Sequence, residues 1–192
     1  MPTTPRTTTR PGGHVCPWWL IWTFDNPLRR LLQPPGRVLA GLVRPGQRCL
    51  DLGCGIGYFT IPMAEMAGPT GSVTAVDVQA RMLEGVRRRA RRRGVESRVR
   101  LHLSDGRGLE VAQPVDFALA FWMLHEVPDQ DALLRDVFSA LAPSGRFLVV
   151  EPKGHVNAAM FAASVERARA AGFGLLAQPG VSFSRSVLLE KP

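Results

Sequence analysis

Asp51-Leu52-Gly53-Cys54-Gly55-Ile56-Gly57 is the stretch that decides how this chain is read. It follows the apolar run 49–52 and opens a helical pattern over about 58–66, in which Pro62 is tolerable because it falls in the first turn. Glycines at alternate positions allow a tight turn and let a ligand approach the backbone beside the positive end of a helix. A dinucleotide fingerprint needs G-x-G-x-x-G. Counted from Gly53 the last position is Tyr58, and counted from Gly55 it is Thr60, so neither register fits.

Outward from the loop, apolar runs alternate with helical patterns. Residues 73–76, 99–103, 117–121 and 147–150 read as strands. Helices are predicted over about 80–93, stopped by Gly94, and from a cap at Asp129 to residue 141, with a turn at Pro143-Ser144-Gly145. Near the end, a helix over 157–171 precedes strands 173–177 and 187–189. Their short connection through Gln178-Pro179-Gly180 suits an antiparallel hairpin. Continuous apolar strands separated by helices mean a parallel sheet covered on both faces. The expectation is an α/β fold with a seven-stranded sheet, mostly parallel, closed by that hairpin.

Upstream, residues 1–14 are Thr, Pro, Arg and Gly with almost nothing to bury, and read as a disordered tail. Residues 15–44 read as a helical lid: an aromatic stretch at 16–24, then short helices at 25–32 and 36–43, ended by Arg44-Pro45-Gly46; the alternatives for Trp18, Trp19 and Trp22 are packing on the helices of the sheet or shallow insertion into a membrane surface. Residues 45–192 form the single main domain.

The apolar stretch 18–24 is far below the roughly 20 residues of a membrane span. It also lacks the cleavage site of a signal peptide, so a cytoplasmic protein is expected. Cys16, Cys49 and Cys54 form no CxxC pair, which argues against a disulfide framework. Net charge is +8, almost all from arginine, which attracts anionic partners in general. The run Arg87-Arg88-Arg89-Ala90-Arg91-Arg92-Arg93 ends a helix whose apolar stripe is kept by Val86 and Ala90. It reads as a solvated face rather than a nucleic-acid patch.

The D-x-G-x-G-x-G pattern resembles motif I of the class I S-adenosylmethionine-dependent methyltransferases, in their small-molecule branch. Other landmarks of that family recur in order over about 42–190. The resemblance implies a Rossmann-like sheet and S-adenosyl-L-methionine as cofactor, held by Asp51, Gly53, Cys54, Gly55 and Gly57. It assigns Asp77, after the second strand, to the ribose hydroxyls; a carboxylate is acceptor-only and can take two donors. Taken alone, Asp77 would read as a helix N-cap. Val78 and Met82 become walls of the adenine slot, although Met82 at helical spacing also suits a core position. Asp105, with Gly106, becomes the acceptor for the adenine amino group, against a plain turn aspartate. Backbone near Trp122 and Met123 would face the methionine ammonium.

His125 and Glu126 follow the fourth strand, and Glu151 and His155 follow the fifth. Ligands of open parallel sheets bind at that carboxyl edge, so these residues can converge. His125, His155 and Glu126 are the candidate catalytic residues, with either histidine as base. Glu151 and His155 are four positions apart but follow a strand, so no ligand pair has helical i, i+4 spacing, and no metal site is expected. The pattern is closest to methyltransferases of quinone biosynthesis and arsenite methylation, which implies a small-molecule substrate. A nucleic-acid methyltransferase is the first rival. Base N-methylation uses Asn/Asp-Pro-Pro-aromatic where this chain has Trp122-Met123-Leu124-His125. A non-catalytic cofactor-binding protein is the second.

Overall fold

The computed structural model describes residues 27–106, 108, 109, 111 and 114–192. The predicted tail 1–14 and the aromatic stretch 16–24 lie outside them. Two short helices, α1 (Pro27–Leu32) and α2 (Pro35–Val38), lead into the sheet. There follow β1 (Arg48–Leu52), α3 (Thr60–Ala67), β2 (Ser72–Asp77), α4 (Ala80–Arg92), β3 (Val99–Leu103) and β4 (Val115–Phe121). Then come α5 (Gln130–Ala140), β5 (Leu141–Pro152), α6 (Ala158–Ala170), β6 (Gly174–Ala177) and β7 (Ser184–Glu190).

One seven-stranded sheet results, in the order β3-β2-β1-β4-β5-β7-β6. The β1–β5 neighbours pair in parallel, while β7 runs antiparallel to both β5 and β6. Period-two alternation divides the core into two layers. Phe117, Leu119 and Phe121 of β4 face α3 and α4, together with Val86, Met63 and Leu148. Ala118 and Ala120 of the same strand face α5 and α6, among Leu134, Val137, Phe161 and Phe147. Asp129 caps α5 by accepting from Ala132 N at 2.8 Å, and Asn157 caps α6 by accepting from Met160 N at 2.9 Å.

Three expectations need correction. The helix predicted at 36–43 shortens to α2, because Gly41 turns into the left-handed region at φ +71°. The helix predicted from Tyr58 begins at Thr60, since the glycine loop needs residues up to Phe59 to complete its turn. Pro143-Ser144-Gly145 is no free turn. It is an irregularity inside β5, where pairing jumps from Val115↔Leu141 to Phe117↔Arg146 and Ser144 takes φ +60°. Arg91 and Arg93 of the arginine run make ion pairs with Glu96 and Glu65, while Arg87, Arg88 and Arg92 are exposed, as a solvated face should be.

Parallel β1 to β5 all end on one edge. The chain leaves β1 toward β2 and β3 on one side and returns through β4 and β5 on the other. The switch point, where ligands of open α/β sheets bind, therefore lies between β1 and β4.

Candidate active site

The loop after β1 sits at this switch point. Gly53, Gly55 and Gly57 all adopt positive φ, at 63°, 52° and 89°. At Gly53 a Cβ would also lie 2.8 Å from Met123 Cβ, so only glycine lets the loop pack against the segment after β4. Asp51 is buried behind the loop and accepts from Thr60 Oγ1 at 2.5 Å. Burial pushes its carboxyl up to about 7, with the Thr60 hydrogen bond and Arg29 acting in the opposite sense. Asp51 thus braces the loop from inside.

Asp77 closes β2 and is 8% exposed. Its Oδ2 accepts from Gly55 N at 3.0 Å and its Oδ1 from Gln79 N at 2.9 Å. The N-cap position of α4 belongs to Gln79, so the alternative reading of Asp77 as that cap is set aside. Burial raises the Asp77 carboxyl above its ordinary value, against the backbone hydrogen bonds that favour the charged form. Each carboxylate oxygen has about two acceptor sites, so one more donor fits on each. That suits a vicinal diol, and the site fits the ribose of a nucleoside cofactor.

Val78 is 47% exposed at the end of β2, while Met82 is buried on α4 outside both core layers. Asp105 and Gly106 lie exposed beyond β3, next to the Asp77 strand, with Gly106 at φ +80°. Cys54 is buried, its backbone N–H bonded to Val76 O at 3.0 Å. Burial raises the Cys54 thiol well above its ordinary value and the Cys49 thiol to about 12, so neither offers a thiolate near neutral pH.

Across the switch point, Trp122 has φ +59°, rare and strained for a bulky side chain. Two bonds hold it there: its N–H donates to Val150 O at 2.7 Å, and its indole Nε1 to Ser184 Oγ at 2.9 Å. The backbone then enters a short 3-10 turn, Leu124–Glu126, that carries His125. Glu151, 1% exposed on β5, receives that turn with both oxygens: Oε1 accepts from Leu124 N at 2.9 Å and Oε2 lies 2.5 Å from His125 Nδ1. The hydrogen bond to Glu151 raises the His125 pKa above the ordinary imidazole value; partial burial opposes it, and the Glu151 and Glu126 charges reinforce it. The exposed His155 ring lies 5.7 Å from the His125 ring. The Glu126 charge acts on both His125 and Asp77, raising each. Among the described residues, no three His, Cys, Asp or Glu side chains are grouped to hold a metal ion.

Residues 43–174 match the family model described as a methyltransferase domain. The chain belongs to the methyltransferase domain family. A demethylmenaquinone methyltransferase of Lactobacillus johnsonii is 30% identical over 116 residues, covering 60% of this chain and 48% of that protein. A ubiquinone/menaquinone biosynthesis C-methyltransferase of Vibrio parahaemolyticus is 37% identical over 112 residues, 56% of this chain and 42% of that one. The chain thus spans less than half the length of these curated relatives. A S-adenosylmethionine-dependent methyltransferase from Aquifex aeolicus has the same fold, with TM-score 0.80, 21% identity, and coverage of 92% of this chain and 99% of that one. The sheet is the Rossmann-like sheet of class I methyltransferases, as the motif I resemblance implied, and S-adenosylmethionine is the cofactor that goes with it.

The sequence reading placed Glu151 at the correct edge but not among the site residues. A lone acid ending an apolar strand was the available signal, since a carboxylate so placed needs a partner. Arg29, Tyr58 and Gln33 were missed altogether. Tyr58 directly follows the glycine loop, whereas Arg29 and Gln33 come near it because the α1 segment folds back over the loop: Gln33 Nε2 donates to Ser182 O at 2.7 Å, and Tyr58 Oη donates to Gln33 O at 3.0 Å.

Proposed function

We propose that the chain transfers a methyl group from S-adenosylmethionine to a small-molecule acceptor that must lose a proton. The observation that carries this reading is the His125–Glu151 pair, beside the loop and Asp77 at the switch point. Bound there, S-adenosylmethionine supplies a methyl group activated by a sulfonium. Asp77 takes the ribose, Asp105 with Gly106 the adenine side, Val78 and Met82 its apolar walls. Asp51, Gly53, Cys54, Gly55 and Gly57 shape the loop, and the backbone at Trp122 lines the donor end. Glu151 accepts from His125 Nδ1–H, which leaves Nε2 as a base for the acceptor. Glu126 and His155 flank that base and bias the protonation of whatever lies between them.

The names of the relatives favour a quinone-type ring as acceptor. A ring hydroxyl that gives its proton to His125 Nε2 makes the ring carbon electron-rich enough to take the methyl group. The test is transfer of label from tritiated S-adenosylmethionine to reduced 1,4-naphthoquinone. Label recovered on the ring supports the reading, and label found only on RNA would replace it with the nucleic-acid rival. Calorimetric titration should show binding of S-adenosylmethionine and S-adenosylhomocysteine but not NAD, because the loop lacks the third glycine of a dinucleotide site. NAD binding without S-adenosylmethionine binding would overturn the assignment.

No helix among the described residues is long and apolar enough to cross a membrane, and a cytoplasmic location is part of this proposal. Residues 15–44 are proposed as a lid that excludes water from methyl transfer. The docking of Gln33 and Tyr58 supports closure from the N-terminal side. Deletion of residues 1–24 should leave a folded core with at least tenfold slower turnover, measured beside its circular dichroism. Full activity of the truncated protein rejects the lid.

A further inference from the structure

We propose that the rim formed by α1 and the turn before β7 docks peripherally on an anionic lipid bilayer, with Phe183 as its apolar anchor. Phe183 is 66% exposed, yet its backbone is held in the left-handed region at φ +56°. That conformation is rare and strained for a bulky residue. The turn keeps it there. Phe183 O accepts from Lys153 N at 3.0 Å, and Ser184 N donates to Val181 O at 3.1 Å. Ser184 Oγ donates to Ser182 O at 3.2 Å. A ring that is costly to leave in water is thus presented to it on a stiff support.

A second apolar point stands beside it. Gln33 Nε2 donates to Ser182 O at 2.7 Å, which ties the end of α1 to the turn. Leu31 and Leu32, the two residues before Gln33, are both exposed, Leu31 by 75%.

The charge around these tips names the partner. Segments 27–37, 152–156 and 179–185 contain no Asp or Glu. Lys153 and Arg37, which lie within them, are exposed. Apolar tips among cations suit a surface of anionic headgroups: the acyl boundary takes the tips, and the phosphates take the cations. A second copy of the chain would instead bring the same cations face to face. The rim also borders the crevice, because Ser184 Oγ accepts from Trp122 Nε1 at 2.9 Å. Docking there turns the crevice mouth toward the bilayer, where an apolar quinone-type ring dissolves. That consequence rests on the proposed reaction; the docking itself does not.

The test is co-sedimentation of the full chain with vesicles of phosphatidylcholine mixed with phosphatidylglycerol, beside vesicles of phosphatidylcholine alone. The chain should bind the anionic vesicles, and more weakly as salt is raised. Phe183→Gly should lower that binding about 10- to 100-fold, the worth of one aromatic side chain taken out of water. Glycine accepts a φ of +56° without strain, so the thermal midpoint of this variant should not fall, which separates a lost anchor from a lost fold. Leu31→Ser should weaken binding further in the same direction. Lys153→Gln combined with Arg37→Gln should lower binding to the anionic vesicles about tenfold and leave that to phosphatidylcholine unchanged. A full chain that stays in solution beside anionic vesicles overturns the proposal. So does undiminished binding by Phe183→Gly, which would move the anchor elsewhere in the chain. A dimer that Phe183→Gly converts to a monomer in the absence of vesicles overturns it too, and makes the rim a contact between copies. Vesicle binding is read without methyl transfer, so its failure leaves the proposed reaction standing.

Discussion

His125→Ala is expected to lower the rate of methyl transfer by about 10²- to 10⁴-fold, the range of a positioned general base. Affinity for S-adenosylhomocysteine should be unchanged, because the proposed function puts His125 on the acceptor side of the crevice. Glu151→Gln should also slow transfer, for a reason visible in the hydrogen bonds. Glu151 accepts from both Leu124 N and His125 Nδ1. A glutamine has only one oxygen, so keeping the Leu124 bond points its NH2 group at Nδ1. That selects the tautomer with the proton on Nε2, which cannot act as base. The pH profile separates this role from mere packing. The Glu151 hydrogen bond raises the His125 pKa, and a base must be neutral to work. Activity should therefore rise with pH through a midpoint above the ordinary imidazole value. In Glu151→Gln that acid limb should move to lower pH while the plateau falls. An unmoved limb would remove His125 as the titrating base. The sign for stability is opposite: with its folded pKa raised, His125 stabilises the fold fully below its unfolded pKa and loses that contribution as pH rises through the folded value.

Asp77→Ala should weaken binding of S-adenosylmethionine by at least about 100-fold. Two hydrogen bonds to a charged acceptor are lost, each worth about 1.5 to 3 kcal/mol. The substitution also frees Gly55 N and Gln79 N, which the carboxylate now holds at 3.0 and 2.9 Å. Part of the loss thus comes from a looser loop. Asp77→Asn separates the two parts, since one oxygen can keep one backbone bond while the charge is gone. Calorimetric titration with S-adenosylhomocysteine, beside a thermal melt of each variant, measures both. An unchanged dissociation constant in Asp77→Ala removes this residue from the site.

The loop from Asp51 to Gly57 and the order of strands and helices were legible because their signals are local. Period-two apolar runs, helix stops and alternate glycines act within a few residues. Boundaries drifted where a distant element decided them. Ser144 could be read as a turn, but its φ of +60° lies within β5 because Leu141 already pairs with Val115. The site divides in the same way. Each strand end, and the acid or histidine after it, could be named from the chain, since parallel strands deliver their carboxyl ends to one edge. Which of those residues touch could not. His125 and Glu151 are 26 positions apart and meet only because β4 and β5 are neighbours in the sheet.

The sequence by itself determined the α/β class, the strand edge at which the candidate residues gather and the glycine loop that follows β1. Hydrophobic period and turn chemistry are properties of short segments and need no knowledge of what lies opposite. Only the tertiary structure decided that Glu151 orients His125, that Trp122 is held at a positive φ by Ser184, and that Arg29 lies among the rings of Tyr58, Phe121 and Trp122. Those contacts join residues tens of positions apart. Their energies come from burial and hydrogen bonding between surfaces that meet only once the sheet is assembled.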